Sequence, residues 1–443
     1  MSAITIEPAD ETASTSPASA NVEWSQARRI SFRFLCSYFL LYFYPEKLDS
    51  FIFFDITPFS KLHEALWVPI LRLAGRILAL PGGVDSASTV GGDTTFNYVR
   101  LLCIFGFAVV AAAIWTAVDK RRKNYVIAED ILKIAVRYTL AITMLAYGLS
   151  KVFKNQFPTP SPFDLLKPLG ELTPMGFLWN FMGTSAPYTI FGGAMEVFGA
   201  VLLMFQRTTT LGALVTAGVM TNVVMLNLCY DVPVKLDSSH LLLCAIALAA
   251  ADLRRLLAVF LLNRPTGPVP PRKRLPKPWM ENVRLGIKVV VLGGTFVTMT
   301  TSELDRARAY GLFFEPPPLY GAYDVVVQVQ DGKTVPPLAT DAQRFRHMSV
   351  VSAQAVIFDT MTGERKIYAM KLDNDKKTIS FKPFGPGDDP PMVLQFDTPS
   401  ADRLDIEGTL EGIRTRLEMK KVDPSKMILI NRGFHWVNEQ PFG

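Results

Sequence analysis

Between Tyr147 and His240, ionisable and amide side chains sit inside or beside apolar runs long enough to cross a bilayer. The run 186–205 carries Glu196 near its centre, and the run 208–230 carries Asn222 and Asn227. A short link holding Asp231, Lys235 and Asp237 leads to His240 at the mouth of the next run. A charge at mid-bilayer costs about 2.5–3.5 kcal/mol on the gentlest scale, so such residues mark a functional site by default. This pattern confines the chain to a membrane-embedded helical bundle with a polar interior.

Composition agrees, because hydrophobic residues make up 49% of the 443 and the long apolar runs fall before Thr301. Runs at 30–44, 96–118, 127–150, 187–205, 208–230, 239–262 and 284–301 predict about seven spans; the first is short and aromatic, and the others are near the roughly 20 residues a bilayer core requires. Arg33, inside the first run, is expected to snorkel. Residues 58–80 alternate apolar positions with Lys61, Arg72 and Arg76, which suits a helix lying in the interface.

Basic residues cluster at 119–123, at Arg207 and at 254–277, which fall on one side of the seven-span count together with the N-terminus. The positive-inside rule then puts the N-terminus in the cytoplasm and everything after the last span outside. The +6 net charge belongs to these loops, not to a nucleic-acid face. Residues 1–22, rich in Ser, Thr, Ala, Pro and acids, read as a disordered cytoplasmic tail. Cys36, Cys103, Cys229 and Cys244 lie in apolar runs with no CxxC pair, which argues against a disulfide framework and against a metal site.

The character changes after a Pro-rich linker at 311–318, whose Pro316, Pro317 and Pro318 form a stiff spacer. Short β-branched, alternating segments at 323–330, 355–359, 366–372, 378–383, 392–397, 403–410, 413–420 and 427–431 predict strands. Turn signals such as Asp331-Gly332 and Thr362-Gly363 separate them. The fold class is therefore an α-helical transmembrane bundle over 23–310, with about seven spans plus an interfacial helix. A small antiparallel all-β domain, barrel or sandwich, follows at 319–443 on the extracytoplasmic side. The tail 431–439 reads as a final strand plus a plug that closes the barrel.

Tyr147 and Lys151 are four residues apart and share a helical face. Glu196 lies about 13 Å into its run at 1.5 Å per residue, where burial demands a cationic partner or a raised pKa. His240 follows Asp237 within one turn, so it can titrate near neutral pH. Glu196, Lys151 and His240 are the candidate proton-handling groups. Tyr147, Asn222, Asn227, Asp231, Lys235 and Asp237 are candidates for orienting a ligand. The alternatives are an interfacial anchor for Lys151, helix–helix hydrogen bonds for Glu196, Asn222 and Asn227, a solvated outer turn for Asp231, Lys235 and Asp237, and a structural role for His240.

Tyr147-Gly148-Leu149-Ser150-Lys151-Val152 resembles the G-x-x-K-apolar signature of the DoxX-like membrane family. Ala194-Met195-Glu196-Val197-Phe198-Gly199 resembles that family's E-x-x-G helix, and Arg207-Thr208-Thr209-Thr210-Leu211-Gly212 its turn into the next helix. The likeness covers about 131–260. It implies a bacterial cytoplasmic-membrane protein that works beside quinone, as a redox or accessory subunit with a redox or assembly partner protein. His63, His240, His347 and His435 offer no pair facing across spans, which argues against a two-His haem. An assembly subunit without catalysis is the alternative. A weaker architectural likeness to the vitamin K-dependent carboxylase gives a further one, with Lys235 and His240 in the acid–base role.

Overall fold

The computed structural model describes residues 23–44, 57–80, 92–267, 277–384 and 390–438. The expected disordered tail and the basic residues Arg272, Lys273 and Arg274 lie outside them. In chain order the helices are α1 (Gln26–Phe43), α2 (Thr57–Ile77), α3 (Thr95–Val118), α4 (Val126–Val152), α5 (Pro162–Leu166), α6 (Pro174–Thr184), α7 (Ala186–Met204), α8 (Thr209–Cys229), α9 (Lys235–Ala250), α10 (Leu253–Phe260) and α11 (Pro278–Ala309). The starts are set by local chemistry. Ser25 caps α1 and Thr94 caps α3, each accepting a backbone N–H three residues on. Ser161 and Asp164 form a reciprocal capping box on α5.

Among the described residues, five helices, α3, α4, α7, α8 (with the turn before it) and α11, are long and apolar enough to cross a membrane. The expected run 239–262 is instead broken. It becomes α9, 16 residues long, and α10, eight residues long. The break falls at Asp252, whose carboxylate accepts the Thr210 hydroxyl and whose backbone N–H bonds Ala249. A carboxylate at that point stops an apolar helix from running on.

The chain divides into two units, with boundaries that fall inside several long helices. The first comprises Met1–Thr143, Gly199–Met225 and Pro233–Thr295. In it α1 packs on α3, and Trp67 and Leu71 of α2 pack on Val99 and Ile104. The expectation that Arg33 snorkels does not hold. Its guanidinium is buried and donates to the Tyr125 hydroxyl (2.7 and 3.0 Å), the Thr116 hydroxyl (2.8 Å) and the Asp119 carbonyl (2.9 Å). Internal acceptors replace the water that snorkelling would reach.

The second unit comprises Met144–Phe198, Leu226–Val232 and Phe296–Gly443. Its β-part has strands β1 (Gly321–Gln330), β2 (Lys333–Thr334), β3 (Phe345–Ser352), β4 (Ala355–Thr360), β5 (Arg365–Asp373), β6 (Thr378–Pro383), β7 (Met392–Ser400), β8 (Arg403–Leu410) and β9 (Ile413–Lys421). Each strand pairs antiparallel with the next around the sheet, and β1 pairs with β9, so eight strands close a barrel with β2 as a short appendage on β1. Closure removes the exposed edges. Asp331-Gly332 and Glu411-Gly412 take positive φ at both positions, the two-residue turn geometry that tight hairpins favour. The interior is filled by Phe345, Met348, Phe358, Tyr368, Phe381, Leu404 and their neighbours.

Two expectations fail here. Residues 427–431 form a 3-10 turn end and a short helix, not a strand, because Asp423, accepting from Ser425, caps a helical turn ahead of them. The tail does not plug the barrel either: Phe434, Trp436 and Val437 are exposed, and β1–β9 pairing does the closing.

Candidate functional site

The sequence candidates fall into two groups, one in each unit. In the second unit, α4 and α7 cross at Gly148 and Gly193. A Cβ on Gly148 would come within 2.8 Å of the Gly193 carbonyl, and one on Gly193 within 2.6 Å of the Gly148 carbonyl. Backbones this close need residues without side chains. One turn further along each helix stand Lys151 and Glu196. The Lys151 ammonium donates to both carboxylate oxygens, at 2.7 and 2.8 Å, with both side chains buried. The Tyr147 ring lies 5.9 Å from that ammonium. The depth argument for Glu196 thus finds its cation. Asn227 is buried in this unit and its carbonyl accepts from Val232, while Asp231 is exposed at positive φ in the turn after α8.

The other group lies in the first unit. Asp93 receives the backbone N–H groups of Lys235 (2.7 Å) and Leu236 (3.0 Å), so it caps α9 from a distant part of the chain. The Lys235 ammonium sits 3.7 Å from the same carboxylate. One turn on, His240 Nδ1 is 2.7 Å from the Leu236 carbonyl, and Nε2 is 2.6 Å from the Tyr38 hydroxyl. A carbonyl only accepts, so Nδ1 carries the proton, and in the neutral ring Nε2 accepts from Tyr38. Tyr42 stacks on the His240 ring at 3.8 Å between centroids and 12° between planes. Its hydroxyl donates to Asp237 at 3.0 Å.

This group borders a cavity of about 250 Å³ lined by Tyr42, Asn97, Arg100 and Asp237, with Leu101 and Ile104 as its apolar wall. An acceptor (Asp237), a cation (Arg100), an amide and a phenol therefore converge on one space. Such convergence in a cavity is the usual form of a small-molecule site. His240 does not line it, but stacks on Tyr42 and bonds the carbonyl of Leu236, both of which do. Asn222 is exposed on α8 and joins neither set of hydrogen bonds.

Tyr38, Tyr42, Asp93 and Arg100 were not among the sequence candidates. Arg100 carried a usable signal, since it is a charge one turn into an otherwise apolar run. Tyr38 and Tyr42 did too, at i and i+4 on an aromatic helix. Asp93 gave none, because a cap supplied from far along the chain leaves no local spacing.

No protein-family model matches this chain, and no solved structure does. A stretch of 126 residues, 28% of the chain, is 34% identical to the Uncharacterized protein YwoB of Bacillus subtilis (strain 168), and covers 79% of that protein. By that likeness the chain belongs to the same family as YwoB.

Proposed function

We propose that this is a DoxX-like integral protein of the bacterial cytoplasmic membrane that binds a quinone headgroup in the cavity beside Tyr42, as a quinone-linked redox or accessory subunit. The observation that carries the reading is the convergence of Tyr42, Asn97, Arg100 and Asp237 on that cavity, backed by the stacked His240 ring. A quinone ring stacks on an aromatic face and presents two oxygens. Arg100 and Asn97 donate to those oxygens in the quinone, and the Asp237 carboxylate accepts a hydrogen bond from a hydroxyl of the quinol. His240 and Tyr38 hold the Tyr42 ring in place and act as positioning residues. Electrons pass to or from a partner redox protein. The N-terminus is cytoplasmic and the β-barrel extracytoplasmic.

The test is organic extraction of the detergent-purified protein, followed by chromatography for bound quinone. Stoichiometric quinone supports the reading, and a protein free of quinone that also fails to take up an added short-chain analogue rejects it. A reporter fused after Gly443 checks the topology: activity restricted to the cytoplasm would reverse it.

A second reading, an assembly subunit, draws on one observation. Lys151 and Glu196 satisfy each other beside a glycine crossing, as a lock between helices would. The pair serves as that lock under either reading. The carboxylase-like reading gains less, because the Lys235 ammonium is turned to the Asp93 carboxylate, 3.7 Å away, and is not among the residues that line the cavity.

A further inference from the structure

A separate cavity of about 320 Å³ lies in the second unit, within the segment that joins α4 to α7. Leu172, Met175 and Trp179 form its apolar wall, and Asp164, Lys167 and Asn180 stand among its polar lining. The surrounding chain is firmly built. Lys154 donates to the Gly183 carbonyl (2.7 Å) and to the Thr159 hydroxyl (3.1 Å), and Phe157 packs edge-on against Trp179 at 5.0 Å. Gly183 must stay a glycine, because a Cβ there would run into the Pro158 carbonyl.

The polar groups keep unused capacity. Asp164 receives the Ser161 hydroxyl (2.6 Å) and backbone N–H (3.3 Å) on Oδ2 alone. Lys167 rests over the Phe163 ring at 5.0 Å. Among the described residues neither charge has an ion-pair partner, and neither the Trp179 indole N–H nor the Asn180 amide has an acceptor. A carboxylate and an ammonium three residues apart in sequence, both unpaired and both lining one cavity, match a ligand that carries both signs of charge. The location narrows the class. Pro158 is six residues past the end of α4, and Asn180 is six residues before the start of α7, so the cavity lies at a membrane face if those helices span.

We propose that this cavity binds a phosphoethanolamine group, as presented by the headgroup of a zwitterionic membrane lipid. Asp164 Oδ1 accepts from the primary ammonium. Lys167, Trp179 and Asn180 donate to the phosphate oxygens. Leu172 and Met175 cover the glycerol carbons. A choline headgroup offers no N–H to Asp164, and a glycerol headgroup offers no cation. The proposal rests on reading α4 and α7 as spans, which alkaline carbonate extraction tests independently: a protein released without detergent fails that reading and not this chemistry.

The experiment is native mass spectrometry of the full chain in detergent, with equimolar phosphatidylethanolamine, phosphatidylcholine and phosphatidylglycerol added. The expected result is a preference of about tenfold for the ethanolamine lipid, the factor that one charge-assisted hydrogen bond supplies. Asp164→Asn keeps an acceptor for Ser161, so the fold survives, and it should erase the preference. Lys167→Gln should lower occupancy by all three lipids. Free phosphoethanolamine forms a separate arm: displacement of the lipid at millimolar concentration assigns the site to the soluble zwitterion. Equal retention of the three lipids by the unmodified protein, or a preference unchanged in both variants, overturns the proposal.

Discussion

The Lys151 ammonium reaches both carboxylate oxygens of Glu196, and each residue stands three positions beyond a glycine at which its helix meets the other. The sequence spacing G-x-x-K on α4 and G-x-x-E on α7 thus has a physical meaning. The glycines bring the two backbones together, and the next turn delivers opposite charges to one buried point. A buried pair of this kind gains little over an apolar replacement, yet loses much when one partner goes.

Glu196→Gln should therefore destabilise the protein by about 3–5 kcal/mol, because it leaves the Lys151 ammonium buried beside a neutral amide. Lys151→Met should do the same from the other side. The double variant Lys151→Met/Glu196→Leu should recover most of the loss. Thermal unfolding in detergent at matched protein concentration checks all three. Additive losses in the double variant would mean that the pair is not the lock it is taken for.

Gly148→Ala and Gly193→Ala should each cost on the order of 1–3 kcal/mol, since the new methyl meets backbone rather than a yielding side chain. Gly192→Ala, next in sequence and open to space within 4 Å, is the control and should be nearly neutral. Membrane abundance and melting temperature report the difference. Equal behaviour of Gly192→Ala and Gly193→Ala would place the helix crossing elsewhere.

How much of this was legible in the sequence depends on the range over which each feature is encoded. The Lys151–Glu196 pair could be anticipated because depth alone demands a partner for a carboxylate in an apolar run. Strands β1 and β4–β9 showed plainly, since they alternate on a period of two. Strand β3 was missed because Arg346 and His347 interrupt its apolar pattern and Arg344 precedes it. Arg344 is in fact buried, with its guanidinium donating to the Phe345 carbonyl (2.8 Å) and the Val325 carbonyl (2.9 Å) beside the β1 bulge. Burial holds its pKa below the usual arginine value. The Tyr38–His240–Tyr42–Asp237 group was half visible, because His240 and Asp237 advertise themselves while the tyrosines lie some 200 residues earlier and look like ordinary apolar aromatics.

A fragment of residues 319–443 should fold by itself into the barrel. Its buried cluster is drawn almost wholly from strand residues, and β1–β9 closure lies within the fragment. It loses the Arg365–Glu171 ion pair (2.7 Å) and the packing of α5 on β1 and β3, so it should be somewhat less stable than the intact chain. Far-ultraviolet circular dichroism should be of β type with a cooperative melt. A helical or non-cooperative profile would contradict the assignment.

That fragment should also show an acid-side loss of stability traceable to Glu411. Burial alone would raise its pKa, but the Lys366 ammonium (2.7 Å) and the Tyr368 hydroxyl (2.6 Å) outweigh it and hold the carboxyl below its ordinary value of 4.5. A group with a depressed folded pKa stabilises above its unfolded pKa, and that stability disappears as pH falls through the folded value. Comparing Glu411→Gln with the unmodified fragment should therefore give a stability gap that is constant above about pH 5 and shrinks below pH 4.5. The gap isolates this residue from Asp359, whose pKa burial pushes up and whose contribution has the opposite sign. A gap independent of pH would remove Glu411 from the titration.

The most direct test of the quinone-binding proposal is a titration of the purified full-length protein with a short-chain quinone, followed by intrinsic fluorescence quenching. Asp237→Asn, Arg100→Met and Glu196→Gln are compared at equal amounts of folded protein. Saturable binding by the unmodified protein is expected. Arg100→Met and Asp237→Asn should weaken it at least about tenfold, as the loss of a charge-assisted contact implies, whereas Glu196→Gln should bind as tightly as the parent. Binding that is unaffected by Arg100→Met and Asp237→Asn, or abolished by Glu196→Gln in the folded fraction, would contradict the placement of the site beside Tyr42.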